Sequence, residues 1–327
     1  MSHRLHYGFR KALDTMLSIG GKSALTRYVR YSRKISSLLN FTARQQKYFL
    51  ELPTPRYAVF SVAPAPAAFK YFTPGATDEL HGPARSDFVA WEPVSRNLFC
   101  LLSNNAGVVL DVGAYSGVYA LTALGTNPSV QVFAFEPNLP MTKQILESSD
   151  LNEFTDRLAV YDCALADYEG FAQLQQAPSN SSAGIASIVY SHDQHPINVG
   201  NPGYHLTTNG VHSVEVRVRQ LDSFDFGAKV ALMKVDAEGS EVSIFRGARE
   251  LLQESQPIIL SEALTLKELE EQFEELKSSG YMAPIAVDED GFHGDDCNFV
   301  WCHSDDYEAV IEAVEASRRK RCWCHAR

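Results

Sequence analysis

Seven short runs of Val, Leu, Ile and Phe recur along the chain, at 107–112, 130–135, 158–163, 230–235, 256–262, 282–287 and 297–302. Each is apolar at successive positions rather than at alternate ones, the pattern of strands buried on both faces. Between them the apolar period lengthens to that of helices, predicted near 116–126, 138–149, 241–254 and 265–279. Strands alternating with helices make a parallel, doubly wound α/β sheet, and the closing pair reads as a short hairpin-like return.

Upstream, Phe88, Val89, Val94, Leu98, Phe99, Leu101 and Leu102 predict a helix over 86–102, with Pro93 as a kink or a first turn. The five prolines Pro53, Pro55, Pro64, Pro66 and Pro74 rule out a continuous helix before it, so 51–85 reads as a linker with short extended pieces. Residues 1–50 carry two amphipathic stripes, Leu5, Phe9, Leu13, Met16 and Leu17, then Leu25, Tyr28, Val29, Ile35, Leu38 and Leu39, separated by Gly20-Gly21. The segment 168–220 breaks the strand and helix rhythm, with Gly170, Gly184, Gly200, Gly203 and Gly210 interrupting short β-prone stretches such as Ile185–Tyr190 and Val214–Val218, and is expected to be an irregular insertion forming a substrate wall. The expected organisation is thus an arm (1–50), a linker (51–85), a main domain (86–310) and a basic tail (311–327).

The 45% hydrophobic and 21% charged content excludes a disordered or fibrous chain. No apolar run approaches the roughly 20 residues that span a bilayer. The N-terminus lacks the apolar core of a secretory signal, and six scattered cysteines form no disulfide framework, so a cytoplasmic setting is expected. The net charge of −11 conceals an uneven distribution, because residues 1–50 hold ten Lys/Arg against the single acid Asp14. Three readings of this basic arm stay open: packing on the acidic body, peripheral contact with an anionic membrane or another acidic partner, and an organelle transit peptide. No nucleic-acid partner is expected.

Candidate chemistry gathers at three strand ends. The run Val108 to Val112 enters a turn containing Gly113 and Gly117, where the missing Cβ atoms allow a tight turn and close approach to a ligand. Glu136 closes the next strand, 19 residues beyond Gly117, and a carboxylate there can accept both hydroxyl hydrogens of a ribose. The fourth strand, Ala231 to Val235, ends in Asp236, Glu238, Gly239 and Glu241. Three carboxylates within six residues raise one another's proton affinity, which is costly to maintain without a purpose. Helix-start acidity accounts for Glu241 alone, but not for Asp236 at the end of an apolar strand.

These motifs resemble the FkbM-type methyltransferases, which use S-adenosylmethionine. The likeness rests on Asp111-Val112-Gly113-Ala114-x-x-Gly117, Phe135-Glu136-Pro137-Asn138, Leu221-Asp222, and Lys234-Val235-Asp236-x-Glu238-Gly239-x-Glu241. Phe245-Arg246-Gly247-Ala248 and the strand Pro257 to Glu262 extend it over residues 107 to about 263. The resemblance implies a Rossmann-like class I methyltransferase sheet of seven strands, the last antiparallel, carrying the N-terminal helical arm. It further implies that Gly113, Ala114 and Gly117 cradle the methionine part of the cofactor, that Asp111 helps hold its amino group through the turn, and that Glu136 takes the ribose. Asp162, Cys163 and Ala164 fall where such enzymes place the adenine, and Asp236 faces the transferred methyl. Tyr115 stands where the family usually has Asn, and Leu139 where Pro or a small residue is common.

The expected activity is O-methylation of a hydroxyl on a sugar, glycan or polyketide-type acceptor, with Asp236 and Glu238 orienting or deprotonating it, or holding a divalent cation that acidifies it. No metal motif supports that cation. A nicotinamide-dependent oxidoreductase shares the glycine turn and distant acid, but Tyr115 and Val118 stand where a dinucleotide fingerprint needs its second and third glycines. A non-catalytic module that keeps the fold is the reading from another class. His192, His195, His205 and His212 read as loop residues, one of which has the chemistry of a general base. Cys322-Trp323-Cys324-His325 lacks a clear second ligand pair for zinc, with only Cys297 and Cys302-His303 to offer, so the tail reads as basic with reactive thiols.

Overall fold

The computed structural model describes residues 57–62, 67–72, 92–176, 186–189, 212–287 and 297–319. The arm, the Cys-Trp-Cys-His segment and His192, His195 and His205 lie outside them. A hairpin of β1 (Tyr57–Val62) and β2 (Ala67–Phe72) precedes helix α1 (Pro93–Ser103). Then come β3 (Val108–Val112), α2 (Val118–Thr126), β4 (Gln131–Phe135), α3 (Leu139–Asp150) and β5 (Leu158–Tyr161). A small unit follows: β6 (Ala164–Leu165), β7 (Gly170–Gln176), β8 (Ala186–Val189) and β9 (His212–Arg219). The chain returns through β10 (Val230–Val235), α4 (Glu241–Arg246), α5 (Arg249–Ser255), β11 (Ile258–Ala263) and α6 (Leu266–Lys277). It closes with β12 (Ile285–Val287), β13 (Cys297–Trp301) and α7 (Tyr307–Arg319).

All seven expected strands share one sheet, ordered β12-β13-β11-β10-β3-β4-β5, in which β13 runs antiparallel to both neighbours and β10, β3, β4 and β5 are parallel. Every residue of β3 is buried, which is why its sequence is apolar at both parities. Val108, Leu110 and Val112 face a core with Ile244, Phe245 and Leu252 of α4 and α5, while Val109 faces Phe99, Tyr119, Ala123 and Val310 of α1, α2 and α7. The result is three layers, helices on both faces of the sheet.

Three features sharpen or correct the sequence reading. The expected linker contains the β1–β2 hairpin, and from it Phe69 and Tyr71 are fully buried, with Gln144 of α3 donating to the Tyr71 hydroxyl at 2.6 Å. The proposed boundary at 310 falls inside α7, whose Val310 and Val314 pack into the core, so residues 311–319 are helical rather than tail. The described part of the insertion forms β7, β8 and β9, the last two on its β-prone stretches, and these join β6 in an ordered four-stranded sheet, β6-β9-β7-β8, with its own core of Ala164, Ala166, Ala172, Leu174, Val216 and Val218.

Pro93 occupies the first turn of α1, where its missing N–H costs nothing. The helix expected over 241–254 divides into α4 and α5 at Gly247, where a Cβ would lie 2.0 Å from the Ala166 carbonyl oxygen of the small sheet. Asp222 secures the same junction, both its carboxylate oxygens accepting from the α5 amides of Glu250 and Leu251 at 3.1 and 2.9 Å. Leu221-Asp222 and Gly247 therefore anchor the small sheet to the main one. Among the described residues no helix is long and apolar enough to cross a membrane.

Candidate active site

The loops after β3, β4 and β10 meet at the C-terminal edge of the sheet. The Gly113 and Ala114 amides both donate to the Phe135 carbonyl at 3.0 Å, and the Asp236 amide donates to the Val112 carbonyl at 3.0 Å. Gly113 has φ of 72°, and a Cβ there would sit 1.8 Å from the Asp236 carbonyl oxygen. Only glycine permits both the left-handed backbone and this closeness. Gly117, with φ of 82°, passes over Ile145 of α3, whose Cγ1 a Cβ would meet at 2.8 Å.

Tyr115 between them also has positive φ, 46°, a conformation that Asn tolerates better than an aromatic residue. Its amide donates to Glu136 Oε2 at 2.7 Å and the Asn138 amide donates to Glu136 Oε1 at 2.8 Å. These bonds leave each oxygen a lone pair for a ligand hydroxyl. Burial pushes the Glu136 carboxyl up to about 7, opposed by the two amides and reinforced by Asp111. Asp111 is 1% exposed, with Oδ2 accepting from the Ala120 amide at 2.7 Å, so it pins the start of α2 beneath the glycine loop. Burial raises its carboxyl to about 7 as well, against the Ala120 amide and Lys234.

After β5, Asp162 is exposed while Cys163 and Ala164 are buried, Ala164 within the ladder to β9. Burial holds the Cys163 thiol near 11, so it stays protonated and unreactive at neutral pH. Two polar atoms beside the glycine loop, Ser116 Oγ and Asn138 Oδ1, are buried with no hydrogen-bond partner among the described residues. Unsatisfied polar groups flanking a glycine turn and a ribose-type carboxylate fit a polar nucleoside ligand.

Asp236 and Glu238 lie on a loop with two successive left-handed residues, Glu238 at φ 53° and Gly239 at 94°. Glu241 braces this loop from α4, its Oε1 accepting from the Ala237 amide at 2.7 Å. It is 1% exposed, and burial together with the Glu268 carboxyl raises its proton affinity well above normal. Glu241 is thus a support for the loop rather than a group facing open space.

Sequence reasoning gave no role to a second polar set that the fold brings to Asp236. Lys234, fully buried in β10, pairs with Asp236 Oδ2 at 3.1 Å and donates to Asn298 Oδ1 of β13 at 2.9 Å. Asn298 donates to Glu92 at the start of α1, and Glu92 accepts from the Tyr119 hydroxyl of α2. Burial alone would lower the Lys234 ammonium's proton affinity, but the carboxylates of Asp236, Glu92 and Glu262 outweigh it and keep it charged. The signal was present as a lysine inside an apolar strand, a position that demands buried partners. Those partners lie far away in sequence. Among the described residues no group of three or more His, Cys, Asp or Glu is arranged to hold a metal ion.

Residues 111–287, more than half of the chain, match the methyltransferase FkbM domain. The chain belongs to the FkbM methyltransferase family. A curated relative, the 2-O-methyltransferase NoeI of Sinorhizobium fredii, is 27% identical over 168 residues, covering 49% of this chain and 64% of that protein. Among solved structures, an FkbM methyltransferase from Methylobacillus flagellatus is 18% identical with a TM-score of 0.41, over 60% of this chain and 44% of that one. An S-adenosylmethionine-dependent O-methyltransferase from Thermotoga maritima gives 11% and 0.38, over 64% of each chain.

Proposed function

We propose that this FkbM-family protein transfers a methyl group from S-adenosylmethionine to a hydroxyl of a small-molecule or glycan acceptor, with sugar hydroxyls the leading class. The observation that carries the reading is the meeting of three loops at one sheet edge, joined by the Gly113 contact with Asp236 and the Gly113 bond to Phe135 next to Glu136. In open α/β sheets this edge is where ligands bind. The name of NoeI, a 2-O-methyltransferase, favours oxygen as the acceptor atom.

In this reading Gly113, Ala114 and Gly117 hold the methionine part, Asp111 acts through the turn it pins, Glu136 binds the ribose hydroxyls, and Asp162, Cys163 and Ala164 border the adenine. The cofactor supplies an electrophilic methyl carbon. The protein's share is alignment of an acceptor oxygen with that carbon, which is worth several kcal/mol, and removal of the acceptor's proton. Asp236 keeps 26% of its side-chain surface exposed despite the Lys234 pair, so it can still bind a hydroxyl. Glu238 stands beside it on the same strained loop.

Calorimetry with S-adenosylhomocysteine and NAD, followed by a mass-spectrometric screen for added methyl groups on methyl glycosides, tests this. Binding of the adenosyl ligand alone and methyl transfer to at least one glycoside is expected. Binding of NAD instead, or of neither ligand, overturns it.

A further inference from the structure

Glu262, whose carboxylate helps to keep Lys234 charged, also stands at this edge. The parallel register sets Val235 of β10 beside Ser261 of β11, so Asp236 and Glu262 are the next residues along two adjacent strands. On the other side, the antiparallel register sets Glu262 opposite Asn298. Asp236, Glu262 and Asn298 therefore form a row across three strands, and the Lys234 ammonium binds the two outer members. The middle member is different. Among the described residues none donates a hydrogen bond to the Glu262 carboxylate or pairs with it, although Glu262 is partly buried.

We propose that Glu262 is the base that accepts the acceptor hydroxyl's proton, while Asp236, held in place by its pair with Lys234, orients that hydroxyl. The proposal rests on the methyltransferase reading and deepens it. As the hydroxyl oxygen's lone pair forms the bond to the methyl carbon, the carbon–sulfur pair returns to sulfur and the O–H proton passes to a Glu262 carboxylate oxygen. The products are the methyl ether, the neutral thioether and a protonated Glu262, which releases its proton to solvent. The charge balance around the two carboxylates sets this division of labour. Asp236 is occupied by its direct pair with the Lys234 ammonium. Glu262 faces Asp236, Glu238 and Glu92, and burial together with these anions lifts its proton affinity well above that of a free glutamate, with only Lys234 opposing.

The test compares the full-length native protein with Glu262→Gln and Glu262→Asp. Binding of S-adenosylhomocysteine and of sinefungin, which carries an amine where the sulfonium methyl stands, is measured by calorimetry. The native protein is expected to prefer sinefungin by about tenfold, through the amine's pairing with the carboxylates. Glu262→Gln is expected to lose most of that preference while keeping its S-adenosylhomocysteine affinity. With a methyl glycoside that the native enzyme methylates, the same substitution lowers kcat by about 100-fold or more and removes the acid limb of its pH profile. Glu262→Asp retains part of the rate and the limb. Unchanged sinefungin preference in Glu262→Gln, or unchanged kcat and pH profile, overturns the proposal alone. Failure of the native protein to bind either adenosyl ligand overturns the methyltransferase reading and the proposal together.

Discussion

At Gly113 two demands coincide, a left-handed backbone and a carbonyl where a side chain would begin. Alanine would force the β3 and β10 loops apart, since neither obstructing atom belongs to a movable side chain. Gly113→Ala is therefore expected to cost about 2–4 kcal/mol and abolish S-adenosylhomocysteine binding, measured by thermal unfolding and calorimetry. A variant that binds normally with unchanged melting would show that the loops need not meet. Lys234 poses the opposite problem, a buried cation whose loss strands the carboxylates of Asp236, Glu92 and Glu262 around an empty position. Breaking one partner of a buried pair costs about 3–5 kcal/mol, so Lys234→Met is expected to destabilise by that order. Adding Asp236→Asn should recover part of the loss in denaturant titrations. An additive double variant would mean that the pair is not coupled.

Elements dock through contacts that no local pattern announces. Asp222 lies outside α5 in sequence yet supplies its N-terminal cap, holding the chain that leaves the small sheet against the second of the two helices that follow β10. Asp222→Ala is expected to cost about 1 kcal/mol and to raise amide exchange selectively in the first turn of α5. Uniform exchange along the chain would contradict that role. The seven strands of the main sheet were legible because burial on both faces of the central strands makes apolar residues predominate at consecutive positions, as in Val108, Val109, Leu110 and Val112 around the buried Asp111. The β1–β2 hairpin was not, since its strands lie between prolines and its burial depends on meeting α2 and α3. The end of α7 was masked by its charged composition near Arg318 and Arg319. In the site, Gly113, Glu136 and Asp236 were legible from spacing, whereas Glu92, Tyr119 and Asn298 acquire meaning only when the fold brings them to Lys234. The split at Gly247 likewise depends on Ala166, a residue far away in the chain.

For the molecule as a whole, the buried carboxyls set how stability responds to pH. Asp111 and Glu136 are both lifted to about 7, from ordinary values of 3.8 and 4.5, chiefly by burial. Between those limits the folded state binds more protons than the unfolded one, so stability falls as pH rises. The contribution is fully present below about pH 4 and lost once the pH passes 7, roughly 3–4 kcal/mol for each group. Glu241 and Glu262 are raised too and act in the same direction. Lys234 does not enter, because its ammonium stays charged in both states across this range. Glu169 runs the other way, but it sits at the exposed edge of the small sheet, where solvent weakens its effect. The melting temperature is therefore expected to be several degrees lower at pH 8 than at pH 5. Asp111→Asn keeps an oxygen for the Ala120 amide while removing the ionisation, so it should melt a few degrees higher than the native protein at pH 8 and show a shallower pH dependence. If the native protein and the variant melt along the same flat curve between pH 5 and 8, the carboxyls of Asp111 and Glu136 are not held near neutrality in the folded state.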